Sequence, residues 1–162
     1  MTDNPDDLKE VVRRNTQEVQ SQGNFAVFDE IFADDFVDHT PQPGITADKA
    51  GVRQLYTGLR EAFPDLRAEI HWQTIDSDLV TTYKTYYGTH HGPFLGIAPT
   101  GRAIHFETVD VFRVQHGQLT DHWGVANLLG VLIQLDALPT EPTGRRPSRR
   151  RTYRRTCRPI PS

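Results

Sequence analysis

The stretch from Arg102 to Asn127, RAIHFETVDVFRVQHGQLTDHWGVAN, leaves the chain few ways to fold. Two runs rich in β-branched and aromatic residues flank His116-Gly117, a pair suited to a tight turn that needs positive φ. The spacing predicts a β-hairpin. With those two residues at the tip, Phe112 faces Asp121, Asp110 faces Trp123 and Thr108 faces Val125. Side chains alternate along a strand, so these six share one face with Phe106, Val114 and Leu119. The other face holds His105, Glu107, Val109, Val111 and Arg113, then Thr120, His122, Gly124 and Ala126. The first face is the more apolar and aromatic, and is expected inside. It carries two carboxylates on a diagonal, Asp110 and Asp121. A carboxylate on an apolar face is costly unless it is satisfied or useful.

Upstream, the pattern changes. Asp6 to Gln22 has a partial apolar stripe at helical spacing, ended by Gly23. Asn24 can cap a second helix from Phe25 to Phe32. Phe36-Val37 is a short extended piece before the loop around Pro41, Pro43 and Gly44. Thr46 can cap a third helix, through about Ala62, which Pro64-Asp65 stops. Leu66 to Ile75 and Leu79 to His91 form a hairpin in which Trp72 pairs with Tyr83 and Ile70 with Thr85. GPFLGIAPTG is a loop. After the 102–127 hairpin, Leu128 to Leu138 is a last helix, capped by Asn127 and apolar almost all round, expected against the body or another subunit. Three helices, four long antiparallel strands and a helix make an α+β fold.

A chain of 162 residues is one domain by length. Residues 1–139 are expected to form it. Residues 140–162 carry eight Arg against one acid, Glu141, and are expected to be a disordered basic tail. That leaves 10 Lys and Arg against 20 Asp and Glu in the body, a poor nucleic-acid binder despite the tail. The N-terminus has no apolar core and no segment approaches membrane-spanning length, so a cytoplasmic protein is expected. The single Cys157 allows no intrachain disulfide. There is no GxGxxG, P-loop or GxSxG, and the seven His offer no metal-ligand spacing.

Five pieces, in this order and spacing, carry a resemblance: FVDHTPQPG at 36–44, AFPDL at 62–66, YGTHHGPFLGIAPTGR at 87–102, VDVFRVQHGQLTDHWG at 109–124 and LIQL at 132–135. Together they make the chain resemble the SnoaL-like polyketide cyclase (ester cyclase) family of the NTF2-like superfamily. The resemblance implies a cone-shaped barrel, a curved and mostly antiparallel sheet with N-terminal helices over its concave face, and a homodimer. It implies intramolecular aldol ring closure of a polyketide ester without metal or organic cofactor, with a hydrophobic polyketide-like substrate. By motif, the family's acid/base aspartate falls on Asp121. The family's cyclases carry a pocket histidine where this chain has Asp110.

One carboxyl group can take a proton from a carbon flanked by carbonyls and then return it to the new alkoxide. A free Asp is a weak base near about 3.9, which burial or a second carboxylate would raise. Asp121 is therefore the expected base, with Asp110 as its partner and His39 as a donor to a carbonyl or enolate oxygen. Trp123, Phe112, Trp72, Tyr83, Phe63 and Tyr56 are candidate walls of a flat substrate pocket, and His90 a candidate substrate contact. His122 is expected to point away from the pocket if Asp121 points in. Other readings of the same pocket are an isomerase, an epoxide hydrolase, a hydroxylation component or a non-catalytic binder. Epoxide opening wants an arginine between the acids, and Arg113 falls on the other face.

Overall fold

A computed structural model describes residues 4–138 of the chain. Pro139 and the Arg-rich tail lie outside the described residues. Helix α1, Pro5–Arg14, has Pro in its first turn and Asn4 as its cap. It runs on into a π-helical stretch, Asn15–Ser21. Ser21 Oγ donates to the carbonyl of Thr16, five residues back. The wider turn brings Asn15, Thr16, Val19 and Gln20 all to the buried side. Gly23, at φ +72°, ends the stretch, and the Arg60 guanidinium donates to the carbonyls of Gln20 and Ser21 at 3.1 and 2.8 Å.

Asn24 caps α2, Phe25–Ile31, as expected. The extended piece around Phe36 is a full strand, β1, Phe32–Asp38. Helix α3, Lys49–Ala62, is capped by Asp48 rather than Thr46. The Asp48 carboxylate accepts from Gly51 N–H, and the Thr46 hydroxyl donates to that carboxylate. The remaining strands are β2, Arg67–Asp76, β3, Leu79–Thr89, β4, Ala103–Gln115, and β5, Gln118–Ala126. Helix α4, Leu128–Gln134, follows, capped by Asn127. The strands form one curved, unclosed sheet in the order β1-β5-β4-β3-β2, antiparallel except that β1 runs parallel to β5. This is the α+β architecture that the resemblance implies.

The β4–β5 hairpin forms, but not in the expected register. Its turn has His116 at φ +53° and Gly117 at φ +75°, and Val114 faces Leu119. Then the alternation fails. Thr120 is an extra residue on β5, a β-bulge, and the next pair is Arg113 with Asp121. Beyond it Phe112 faces His122, Val111 faces Trp123, Asp110 faces Gly124 and Thr108 faces Ala126. A slip of one residue sends every later side chain to the opposite face. His122, Gly124 and Ala126 therefore turn inward, with Asp121, Trp123 and Val125 outward. The bulge lets one strand bury Leu119 against Phe32 of β1 and still bring His122 against Asp110. A second bulge lies on β2 at His71. Trp72 faces Tyr83 as expected, but Ile70 faces Lys84 instead of Thr85.

Two apolar clusters hold the helices to the concave side. One joins α1, the π-helical stretch, α2 and β1 to β4 and β5, with Phe28 and Phe32 stacked at 4.2 Å between centroids. The other gathers Phe63, Tyr86, Ile104 and Phe106 with Val131 and Leu135, which dock α4 on the body. Leu129 and Ile133 of α4 stay exposed. Among the described residues, no helix is long and apolar enough to cross a membrane.

Candidate active site

A cavity of about 300 Å³ takes lining residues from both clusters. Leu55 and Leu59 of α3, Phe94 of the loop before β4, and Phe106 and Phe112 of β4 give it apolar walls. One part of the wall is charged. Asp110, on the inner face of β4, accepts at Oδ2 from Lys84 Nζ at 3.0 Å and from the Thr108 hydroxyl at 3.1 Å. Its Oδ1 lies 3.1 Å from His122 Nε2. His122 Nδ1 lies 2.9 Å from Asp38 Oδ1. Asp38 in turn accepts from Thr40 N–H at 3.0 Å. The four charged groups alternate in sign: ammonium, carboxylate, imidazole, carboxylate. Gly124 sits opposite Asp110, and a Cβ there would come 2.5 Å from Asp110 Oδ1 and 2.8 Å from His122 Nε2. Any side chain at 124 would wedge the pair apart.

Burial alone would push the His122 imidazole toward the neutral form, but hydrogen bonds and attraction from Asp110 and Asp38 outweigh it and raise its pKa to about 9. Burial alone would raise the Asp110 carboxyl as well. The Lys84 ammonium, then His122, instead hold it well below the usual carboxylate range. Asp38 is also lowered, with His122 opposing its burial. At neutral pH the site is an ionised Asp110 against a protonated His122, a proton store beside an apolar cavity. Among the described residues, no group of three or more His, Cys, Asp or Glu is disposed to hold a metal ion.

The structure divides the residues that the sequence put forward. Asp110, Phe112 and Tyr56 line the cavity. Asp121 and His39 do meet, His39 Nε2 lying 2.8 Å from Asp121 Oδ1, but on the outer face of the sheet. There Arg113 and Thr120 also donate to Asp121 Oδ2, and His39 stacks on Trp123 at 4.4 Å. These partners lower the Asp121 pKa against the opposing effect of its partial burial, the reverse of the expected rise. Trp72 and Tyr83 lie on the same outer face, their rings 5.6 Å apart. Phe63 and His90 are fully buried in the core, 5.6 Å apart, and line no part of the cavity. The expectation that His122 points away is reversed by the Thr120 bulge. Sequence reading missed Asp38, Gln20, Lys84 and His122 as site residues. Lys84 left a trace: a lysine at an inward position of a strand, in TTYKTYY, requires a buried partner.

A helix-covered, unclosed sheet enclosing an apolar cavity with one ionised wall defines an NTF2-like pocket protein. A sequence profile described as SnoaL-like polyketide cyclase matches residues 10–135, so the chain belongs to the SnoaL-like polyketide cyclase family. Solved structures agree with that fold. IdmH from Streptomyces antibioticus, described as a candidate polyketide cyclase, is 27% identical with a TM-score of 0.71, over 80% of this chain and 98% of its own. A candidate polyketide cyclase from Acidithiobacillus ferrooxidans is 29% identical with a TM-score of 0.71, over 83% and 98%. AclR from Streptomyces galilaeus, described as a candidate hydroxylase, is 25% identical with a TM-score of 0.76, over 86% and 87%. A comparison with curated proteins finds no match.

Proposed function

We propose that this chain is a cytoplasmic, cofactor-independent polyketide cyclase that closes a ring of a polyketide ester by intramolecular aldol reaction, with Asp110 and His122 as its acid/base pair. The observation that carries this reading is the partly buried carboxylate–imidazole pair on the wall of an otherwise apolar cavity. The pair exchanges its proton as a unit. Having lost a proton, it takes one from the substrate carbon between two carbonyls. The enolate carbon attacks a second carbonyl of the same molecule, and a C–C bond forms. The resulting alkoxide takes the proton back from the pair, so the product is an isomer of the substrate. The histidine that the resemblance implied at position 110 is supplied here from across the hairpin by His122. Asp121, held on the outer face by His39 and Arg113, takes no part.

Proton abstraction can be followed without the native substrate. In D₂O, methyl benzoylacetate should exchange its acidic CH₂ hydrogens faster than the buffer rate with the wild type and with Asp121→Asn, and at the buffer rate with His122→Gln. Exchange lost in Asp121→Asn but kept in His122→Gln would return the role of base to Asp121. The likeness to AclR favours a second reading, a hydroxylation component. Enzyme-dependent exchange under strict exclusion of oxygen separates the two.

Two copies are expected to pair through the outer sheet face, where Trp72 is 48% exposed and Tyr83, Val109, Val111 and Trp123 are only partly covered. Light scattering should read the mass of two chains, and Trp72→Glu should halve it. An unchanged mass in that variant would remove this face from consideration.

A further inference from the structure

We infer that Asp38 is a hydroxyl-recognition point of the cavity, its free carboxylate oxygen accepting a hydrogen from the ligand, so that the ligand presents a phenol or enol hydroxyl beside the reacting carbon. Asp38 ends β1, and its register partner across the parallel pairing is His122. Its backbone N–H donates to the carbonyl of Ala47 at 2.7 Å, and the next N–H, of His39, donates to the carbonyl of His122 at 2.8 Å, so the residue is pinned on both sides. The side chain turns inward, is 5% exposed and lines the cavity that Asp110 and His122 line. Its two oxygens are used unequally. Oδ1 accepts three hydrogens, from Thr40 N–H at 3.0 Å, from the Thr40 hydroxyl at 3.4 Å and from His122 Nδ1 at 2.9 Å. Oδ2 accepts none among the described residues. The orphaned side-chain atoms sealed from solvent among those residues are Asn15 Oδ1 and His90 Nε2, so Asp38 Oδ2 has open space beside it.

The donors around Asp38 are already committed. The Thr40 hydroxyl accepts from Gly124 N–H at 2.8 Å and gives its own hydrogen to Oδ1. His122 gives one ring nitrogen to Asp38 Oδ1 and the other to Asp110 Oδ1. Asp110 differs from Asp38 in using both oxygens, Oδ1 for His122 and Oδ2 for Lys84 and Thr108. Burial alone would raise the Asp38 carboxyl, but His122 and Thr40 hold it below the usual range, so it is ionised at neutral pH. An ionised carboxylate accepts and cannot donate. A ketone or ether oxygen set against Oδ2 would bring lone pair against lone pair, and an apolar group would strip it of water with nothing in return. A hydroxyl supplies the missing hydrogen. Asp38 and Asp110 flank opposite ring nitrogens of His122, which puts that hydroxyl next to the carbon that the acid/base pair deprotonates.

This subsite rests on reading the cavity as the substrate site, and two probes keep the two readings apart. One is 2-naphthol, which has a hydrogen to give; the other is 2-methoxynaphthalene, which carries the same oxygen without it. At neutral pH, titration calorimetry should show the wild type preferring 2-naphthol roughly tenfold or more, the worth of one hydrogen bond to a charged acceptor. A merely apolar wall would favour the ether, the more apolar of the two. In Asp38→Asn, shown to be folded by its thermal unfolding transition, the three donors hold the amide oxygen in the place of Oδ1 and leave the NH₂ in the place of Oδ2. That variant should bind the ether as well as the naphthol, or better. Equal binding by the wild type, or a preference for the ether, overturns the Asp38 subsite and leaves the cavity reading intact, as does a naphthol preference that survives in Asp38→Asn. No binding of either probe by the wild type overturns the cavity reading and the subsite with it. If the variant does not fold, a crystal structure of the wild type with 2-naphthol decides: a naphthol oxygen bonded to Asp38 Oδ2 supports the subsite, and any other position overturns it.

Discussion

Asp110→Asn should cost the protein about 3–5 kcal/mol of stability, the range for removing one partner of a buried ion pair. The carboxylate stands between two cations, Lys84 at 3.0 Å and His122 at 3.1 Å, and Lys84 is fully buried. An amide keeps the shape but not the charge, and leaves the ammonium with neutral acceptors alone, its own oxygen together with Thr16 and Gln20 at 3.4 and 3.1 Å. The His122 pKa should fall in the variant, because one of the two carboxylates that raise it is gone. Exchange of methyl benzoylacetate should drop by roughly 10²–10⁴-fold, the usual worth of a positioned acid/base group. Stability and chemistry can be separated by adding Lys84→Met. The double variant removes the uncompensated cation and should recover most of the stability in a urea titration while exchange stays at the buffer rate. Recovery of exchange along with stability would show that Asp110 matters only for folding.

The elements were legible in the sequence because each is set by local chemistry. Asn24 and Asn127 mark helix starts, Gly23 marks an end, and His116-Gly117 makes the hairpin turn at positive φ. The face of each strand was legible only as far as alternation holds. Near the turn the expected pairing is right, and Leu119, Val114 and Phe112 are buried as the pattern says. One residue further the Thr120 bulge reverses the outcome, and Asp121 changes places with His122. Alternation cannot foresee a bulge, because the reason for it lies elsewhere in the chain. Leu119 must meet Phe32 of β1, and His122 must meet Asp38, which is 84 residues away in sequence.

The same reasoning explains why the candidate site was only half legible. Asp110 stood out as a carboxylate on an apolar strand face, and that anomaly was real. Its compensation could not be read from the hairpin pattern, which placed only a second carboxylate, Asp121, beside it. It is found in Lys84 and His122, one from the next strand and one from beyond the bulge. Asp38 belongs to a strand of seven residues that the sequence showed only as Phe36-Val37. From the sequence, Asp121 and His39 are expected as catalytic groups and Trp123 as a pocket wall, because the family's motif falls on Asp121 and alternation puts Asp121 and Trp123 on the inner face. Their contacts with each other satisfy them on a surface away from the cavity.

The second large effect is expected at His122, where activity and stability should respond oppositely to pH. The folded His122 pKa, about 9, lies above the ordinary value near 6.5, so the charged pair stabilises the fold fully below about 6.5 and loses that contribution as pH rises through 9. A shift of that size corresponds to a stabilisation on the order of 3 kcal/mol. Asp110 and Asp38 are lowered, so their contribution is present above about 3.8 and lost as pH falls below it. Urea titrations should therefore show a stability plateau between these limits and a decline on each side. Proton abstraction needs the pair after it has given up its proton, and that form grows tenfold per pH unit up to about 9. Initial exchange rates of the folded wild type should climb with that slope from pH 6 and level off near 9, where the stability that His122 contributes has been lost. His122→Gln should lower the rate by roughly 10²–10⁴-fold at pH 8, remove the slope, and remove the alkaline decline in stability while leaving the acid decline in place. A wild-type rate that stays flat from pH 6 to 9 would mean that His122 serves only as a fixed positive charge beside Asp110, and that the proton is taken by another group.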